Sequence, residues 1–184
     1  MVTKPLLELM NFSIVRRNNM DKIRGILEIA LNFEKSGRNF YKENLEKVNQ
    51  KVAKDVFSYL MDMEASHVTY IQKLIREREE GSSISWPQDA TDADSIFEKS
   101  LKSQALSNST YSSDLADLSI IRMAYLIEKD FAEYYDNASK EIEDQSTKNM
   151  LIALRDWEKK HAEILKSLIE KIFEKHSLDL GFYG

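Results

Sequence analysis

The chain has 184 residues, a net charge of −5, five Gly, two Pro and no Cys, which suits one mostly helical domain with its own core. Without cysteine there are no disulfides, thiolate nucleophiles, Cys-ligated zinc sites or iron–sulfur clusters, so any metal is held by oxygen and imidazole. Charges of both signs are interspersed and no apolar run reaches the roughly 20 residues of a membrane span, which argues against nucleic-acid and membrane partners and predicts a cytoplasmic protein.

In chain order, residues 1–18 are interrupted by Pro5, Glu8 and Asn11 and lack the small-residue cleavage site of a signal peptide. They fit an extra helix against the body of the protein or a neighbouring subunit. The first long amphipathic helix is predicted from Asp21, as its N-cap, to Val48, with Ile23, Leu27, Ala30, Gly37, Tyr41, Leu45 and Val48 on one stripe. The second runs from Gln50 to Glu80, stops at Gly81, and aligns Ala53, Val56, Leu60, Ile71 and Leu74. A long connection over residues 81–113 follows, with loop chemistry first and a short helical piece from Ser95 to Leu106. The third helix, from Asp114 to Glu143, presents Leu118, Ile121, Tyr125, Ala132, Tyr135, Ser139 and Ile142. The fourth, from Ser146 to His176, presents Leu151, Leu154, Leu165, Leu168 and Ile172. Steps of three and four mark the face each helix turns to a common core. The expectation is an all-α four-helix bundle forming a single domain over residues 1–184.

Six ionisable residues lie on those apolar stripes: Glu34, Glu64, His67, Glu128, Glu158 and His161. They obey an internal repeat. Shifted by 94 residues, Glu34 falls on Glu128, Tyr41 on Tyr135, Glu64 on Glu158 and His67 on His161, and Ile26, Ala30, Leu60 and Leu74 also match their counterparts. Two helix hairpins of one pattern are thus expected to meet around a pseudo-twofold axis. An unpaired carboxylate in a core costs several kcal/mol, and four together repel one another. No Lys or Arg shares the stripe near them, whereas two divalent cations would balance four glutamates. Glu64 and His67, three residues apart, can reach one ion, as can Glu158 and His161, with Glu34 and Glu128 bridging or chelating from the other helices. Carboxylate with imidazole suits iron or manganese, with zinc an alternative occupant.

The segments FEKSGRNFY with MDMEASH, and IEKDFAEYY with RDWEKKH, resemble the two half-motifs of the ferritin-like di-iron carboxylate superfamily, and most closely its rubrerythrin branch. The resemblance spans roughly residues 20 to 176. It implies a ferritin-like bundle binding two irons through Glu34, Glu64, His67, Glu128, Glu158 and His161, with Tyr41 and Tyr135 hydrogen-bonded to the ligating carboxylates. It implies reduction of hydrogen peroxide or dioxygen, in a homodimer or small homo-oligomer. Two departures stand out. Rubrerythrins typically carry a further Glu three residues after the third-helix ligand, where this chain has Phe131, and the Cys-rich electron-transfer domain usual in them is missing, so a separate donor protein is implied.

Other residues read more plainly. Asp62 and Asp156 sit beside the stripe as solvated positions, His176 as a charge near a helix end, Trp86 and Trp157 as packing residues, and REREE at 76–80 as a solvated helix end. The competing functions are a ferroxidase or iron-storage subunit, which would assemble into a large cage, and a metal-binding or purely structural bundle without turnover.

Overall fold

The structure, a computed structural model, describes residues 4–80 and 106–179, with side chains described for 20–80 and 106–176. Four helices form it among the described residues: α1 (Lys4–Asn44), α2 (Lys51–Glu79), α3 (Tyr111–Lys140) and α4 (Gln145–Asp179). The hairpins are α1 on α2 and α3 on α4, and they meet through α1 against α3 and α2 against α4. Equivalent helices therefore face each other across the pseudo-twofold axis. No helix among the described residues is long and apolar enough to cross a membrane.

The apolar stripes explain this arrangement. Nearly every residue on them is buried, from Ile23, Leu27 and Ala30 on α1 to Leu165, Leu168 and Ile172 on α4; only Leu45 and Tyr125 are half-buried. Two apolar clusters fill the bundle. One gathers Val56, Phe57, Leu60, Ile121 and Leu168, and the other Leu27, Ile71, Leu74, Leu151 and Leu154. The polar stripe residues lie between them.

Helix boundaries differ from expectation: the first helix ends at Asn44 and not Val48, and the third spans Tyr111–Lys140 and not Asp114–Glu143. Asp21 does not start a helix, because α1 begins at Lys4 and runs 41 residues without a break; at about 1.5 Å per residue this is roughly 60 Å. A capping side chain is only a local preference, and a helix already propagating passes over it. The α4 start has a true cap in Asp144, whose carboxylate accepts from the Thr147 amide at 2.8 Å and also binds the Arg78 guanidinium. Arg78, in the run expected to be solvated, thus ties the end of α2 to the start of α4. The Ser95–Leu106 helical piece and Trp86 lie outside the described residues, except Leu106, which is not helical.

At the other end a buried polar clasp replaces the expected exposed charge at His176. Asp114 is fully buried and accepts from Gln50 Nε2 (2.8 Å), Ser109 Oγ (2.6 Å), Lys175 Nζ (2.9 Å) and His176 Nε2 (2.7 Å). Burial alone would raise its pKa, but these donors outweigh burial and bring it down to about 2. Beside it, Asp117 accepts from the backbone amides of Asn49 and Gln50, supplying from α3 the cap that Gln50 does not give α2. His176→Ala removes one of these charged hydrogen bonds, so a thermal melt should show a loss of about 1–3 kcal/mol. Metal content should not change, because the clasp lies outside the carboxylate cluster.

Candidate metal centre

The six stripe residues converge at mid-bundle, one helix contributing Glu34, one Glu64 and His67, one Glu128, and one Glu158 and His161. All are buried, His67 being the most exposed at 2%. Their ligand atoms form two overlapping groups, each within 4.8 Å: Glu34, Glu64, His67 and Glu158 in one, and Glu64, Glu128, Glu158 and His161 in the other.

The overlap has a definite geometry. His67 Nδ1 lies 3.0 Å from Glu34 Oε2, 3.7 Å from Glu64 Oε2 and 3.5 Å from Glu158 Oε1. His161 Nδ1 lies 3.1 Å from Glu158 Oε2, 3.4 Å from Glu128 Oε2 and 3.5 Å from Glu64 Oε1. Glu64 and Glu158 thus each turn one oxygen to each histidine, whereas Glu34 and Glu128 each belong to one half. The sequence left open whether Glu34 and Glu128 bridge or chelate. Their placement is that of terminal ligands, and the spanning positions fall to the two Glu-x-x-His glutamates.

Both tyrosines expected beside the cluster reach it, each across the interface between hairpins. Tyr41 donates to Glu128 Oε1 and Tyr135 donates to Glu34 Oε1. Burial and the neighbouring carboxylates push both phenols well above their ordinary pKa, so they stay protonated donors. Phe131, where the family pattern has a further Glu, is buried and stacks on Phe33 at 4.7 Å. Its ring borders the space over its repeat-mate Gly37, where a Cβ would stand 3.2 Å from Phe131 Cε2 and 3.4 Å from Glu64 Cδ. A side chain there would require the Phe131 ring to give by a few tenths of an ångström. The seventh carboxylate of the pattern is therefore replaced by an apolar plug.

The donor set fits a pair of cations. Both oxygens of Glu64, Glu128 Oε2 and Glu158 Oε1 are buried without a hydrogen-bond partner, a costly condition unless positive charge satisfies them. Without cations, protons supply that charge. Burial, with Glu158 and Glu34 nearby, raises the Glu64 pKa well above the carboxylate range; burial and Glu158 raise Glu128 to about 8. Burial opposes charge on both histidines, but the surrounding carboxylates overcome it and raise their pKa values. Glu158 goes the other way, lowered by His161 against the burial penalty.

Asp62 and Asp156 are exposed, as expected. Trp157 is buried as a packing residue, but it also stacks on His67, a contact that nothing in the helical pattern announces. The Asp114 clasp was also missed, since its partners come from three separate segments.

No curated protein matches the chain. A solved structure from Pyrococcus furiosus, described as hypothetical protein Pfu-1136390-001, has the same fold: TM-score 0.60 and 21% identity over 83% of this chain and 90% of that one. Residues 25–169, spanning all six cluster residues and both tyrosines, match the Rubrerythrin family. A rubrerythrin-type repeat in sequence and a buried Glu/His cluster that fits two metal ions agree: the chain belongs to the rubrerythrin family.

Proposed function

We propose that this protein is a di-iron carboxylate oxidoreductase of rubrerythrin type, reducing hydrogen peroxide or dioxygen with electrons from a separate donor protein as part of an oxidative-stress response. The observation that carries the reading is the spanning geometry of Glu64 and Glu158, each with one oxygen toward each half of the cluster. Glu64 and Glu158 would thus be placed to serve both ions of a two-metal site. Glu34 with His67, and Glu128 with His161, complete the two halves. Iron bound there would supply the two electrons that, together with two protons, reduce hydrogen peroxide to two waters.

The chain's own residues do the rest. Tyr41 Oη and Tyr135 Oη hold Glu128 and Glu34 in single orientations through their donated hydrogen bonds. Phe131 and the ring stack around His67 keep bulk water from the carboxylates, strengthening every charge interaction inside. A cytoplasmic homodimer or small homo-oligomer that meets its donor at the surface completes the proposal.

Metal analysis of protein purified without air, after iron-supplemented expression, should give about two metals per chain. The reduced protein should then consume peroxide faster than free iron does, and light scattering should show a small oligomer. A chain that binds no metal overturns the proposal; rapid iron uptake into a large cage would replace it with iron storage. Tyr41→Phe and Tyr135→Phe should keep both metals yet slow turnover by about 10-fold, since each loses only an orienting hydrogen bond.

A further inference from the structure

A metal-ligating imidazole usually has its second nitrogen fixed by a hydrogen bond, which sets the tautomer and the ring angle. Neither histidine of the cluster has one: His67 Nε2 and His161 Nε2 are both buried with no protein group in hydrogen-bonding range. Something else must set the ring planes. For His67 the contacts are on its faces. The Trp157 indole stacks on it at 4.7 Å and 7°, and the His161 ring at 5.5 Å and 13°. Tyr70 in turn meets the Trp157 ring edge-on at 6.5 Å and 79°.

This support is not shared by the two halves. The 94-residue repeat sends Trp157 to Met63, a half-buried thioether with no ring face to offer. It sends Phe131, whose stack on Phe33 braces α1 next to Glu34, to Gly37. The six ligand candidates obey the pseudo-twofold, but the aromatic groups that brace them do not. Both departures put a ring on the Glu34–His67 half.

We propose that Trp157 is the positioning residue of His67, holding its imidazole plane by stacking where a hydrogen-bonding partner is lacking, so that the two metal positions are unequal. The inference rests on the two-metal reading above. A stacked ring fixes the direction of Nδ1 without drawing on its lone pair, and the surrounding core fixes the indole. Removing the ring face frees His67 to rotate about its side-chain torsions, and Nδ1 then aims at its ion for only part of the time. The ring on which Trp157 stacks is that of His67, which belongs to the other half from Glu128 and His161.

The test is stepwise cobalt(II) binding to the metal-free full chain, followed by visible absorbance under chelator competition, with helical content checked by circular dichroism. Trp157→Leu and Trp157→Met remove the ring face but keep apolar volume, and Met already stands at the symmetry-related position. Each should weaken one of the two binding steps by about 10-fold or more, the step abolished in His67→Ala, and leave the other within about twofold. Trp157→Phe, which keeps a ring face, should stay within about threefold of wild type in both. If the two steps fall together, or neither moves, Trp157 is a packing residue only and the inference is overturned. Wild type taking up no cobalt would instead remove the two-metal reading itself, so the two failures are distinct.

Discussion

Replacing Glu64 by glutamine is expected to empty both metal positions, whereas Glu34→Gln or Glu128→Gln should leave about one metal per chain. The difference follows from where the carboxylates sit. Glu64 turns Oε2 toward His67 and Oε1 toward His161, so both halves of the cluster lose a charged oxygen together. Glu34 and Glu128 appear in one half each. Glu158→Gln is the internal control, because the repeat places it in the equivalent spanning position, and in metal content it should behave as Glu64→Gln does. Glutamine keeps the volume, so no large cavity confuses the comparison. Glu64→Gln, unlike Glu158→Gln, should have the opposite effect on the metal-free protein, because Glu64 is the carboxyl that burial and its neighbours disfavour as an anion. It removes one of four buried carboxylates, and the apo variant should melt higher than the apo wild type at pH 8. Elemental analysis and apo melts on the four variants decide the matter. Two bound metals in Glu64→Gln would mean that Glu64 is not a shared ligand.

The stability of the metal-free protein should fall steeply between about pH 5 and pH 8, and metal should reverse that slope. Glu128 titrates near 4.5 when unfolded and near about 8 in the metal-free fold, and Glu64 is shifted in the same direction. Both groups hold protons in the native state that the unfolded chain has already lost, so unfolding releases protons. Their stabilising contribution is complete below pH 4.5 and disappears as pH rises through the native pKa values. His67 and His161 act in the same sense above pH 6.5. Glu158 within the cluster and Asp114 in the clasp, whose pKa values are depressed, work the other way, and they do so at acid pH, below their ordinary carboxylate values. At about 1.4 kcal/mol per pKa unit the total swing is on the order of several kcal/mol. Two bound cations displace these protons, so loaded protein should gain stability with rising pH, and metal uptake should release protons. Denaturant melts of apo and loaded protein at pH 5, 6.5 and 8 test this. Apo and loaded curves that coincide at pH 8 would contradict a buried, charge-balanced cluster.

The helical class, the four-helix count and the six cluster residues were legible in the sequence because each is a periodic signal. Apolar residues three and four apart must share a face, and ionisable residues on that face must share its burial. The 94-residue repeat then paired Glu34 with Glu128 and Tyr41 with Tyr135 before any contact was known. Helix ends were less legible. Asp21 has the chemistry of a cap, but α1 runs through it, since a cap acts on a single turn and propagation costs little once a helix exists. Tertiary structure alone decided three things. It made Glu64 and Glu158, and not Glu34 and Glu128, the spanning carboxylates, because that depends on how far α2 and α4 approach each other. It turned His176 from a solvated charge into part of the Asp114 clasp, which joins α2, α3 and α4 across 62 residues of sequence. It also set the Trp157 ring on His67 and the Phe131 ring over Gly37. Periodicity tells which residues face the core, and it holds within one helix. Which of them touch depends on the offset and rotation between helices, which is fixed only when all the side chains pack together.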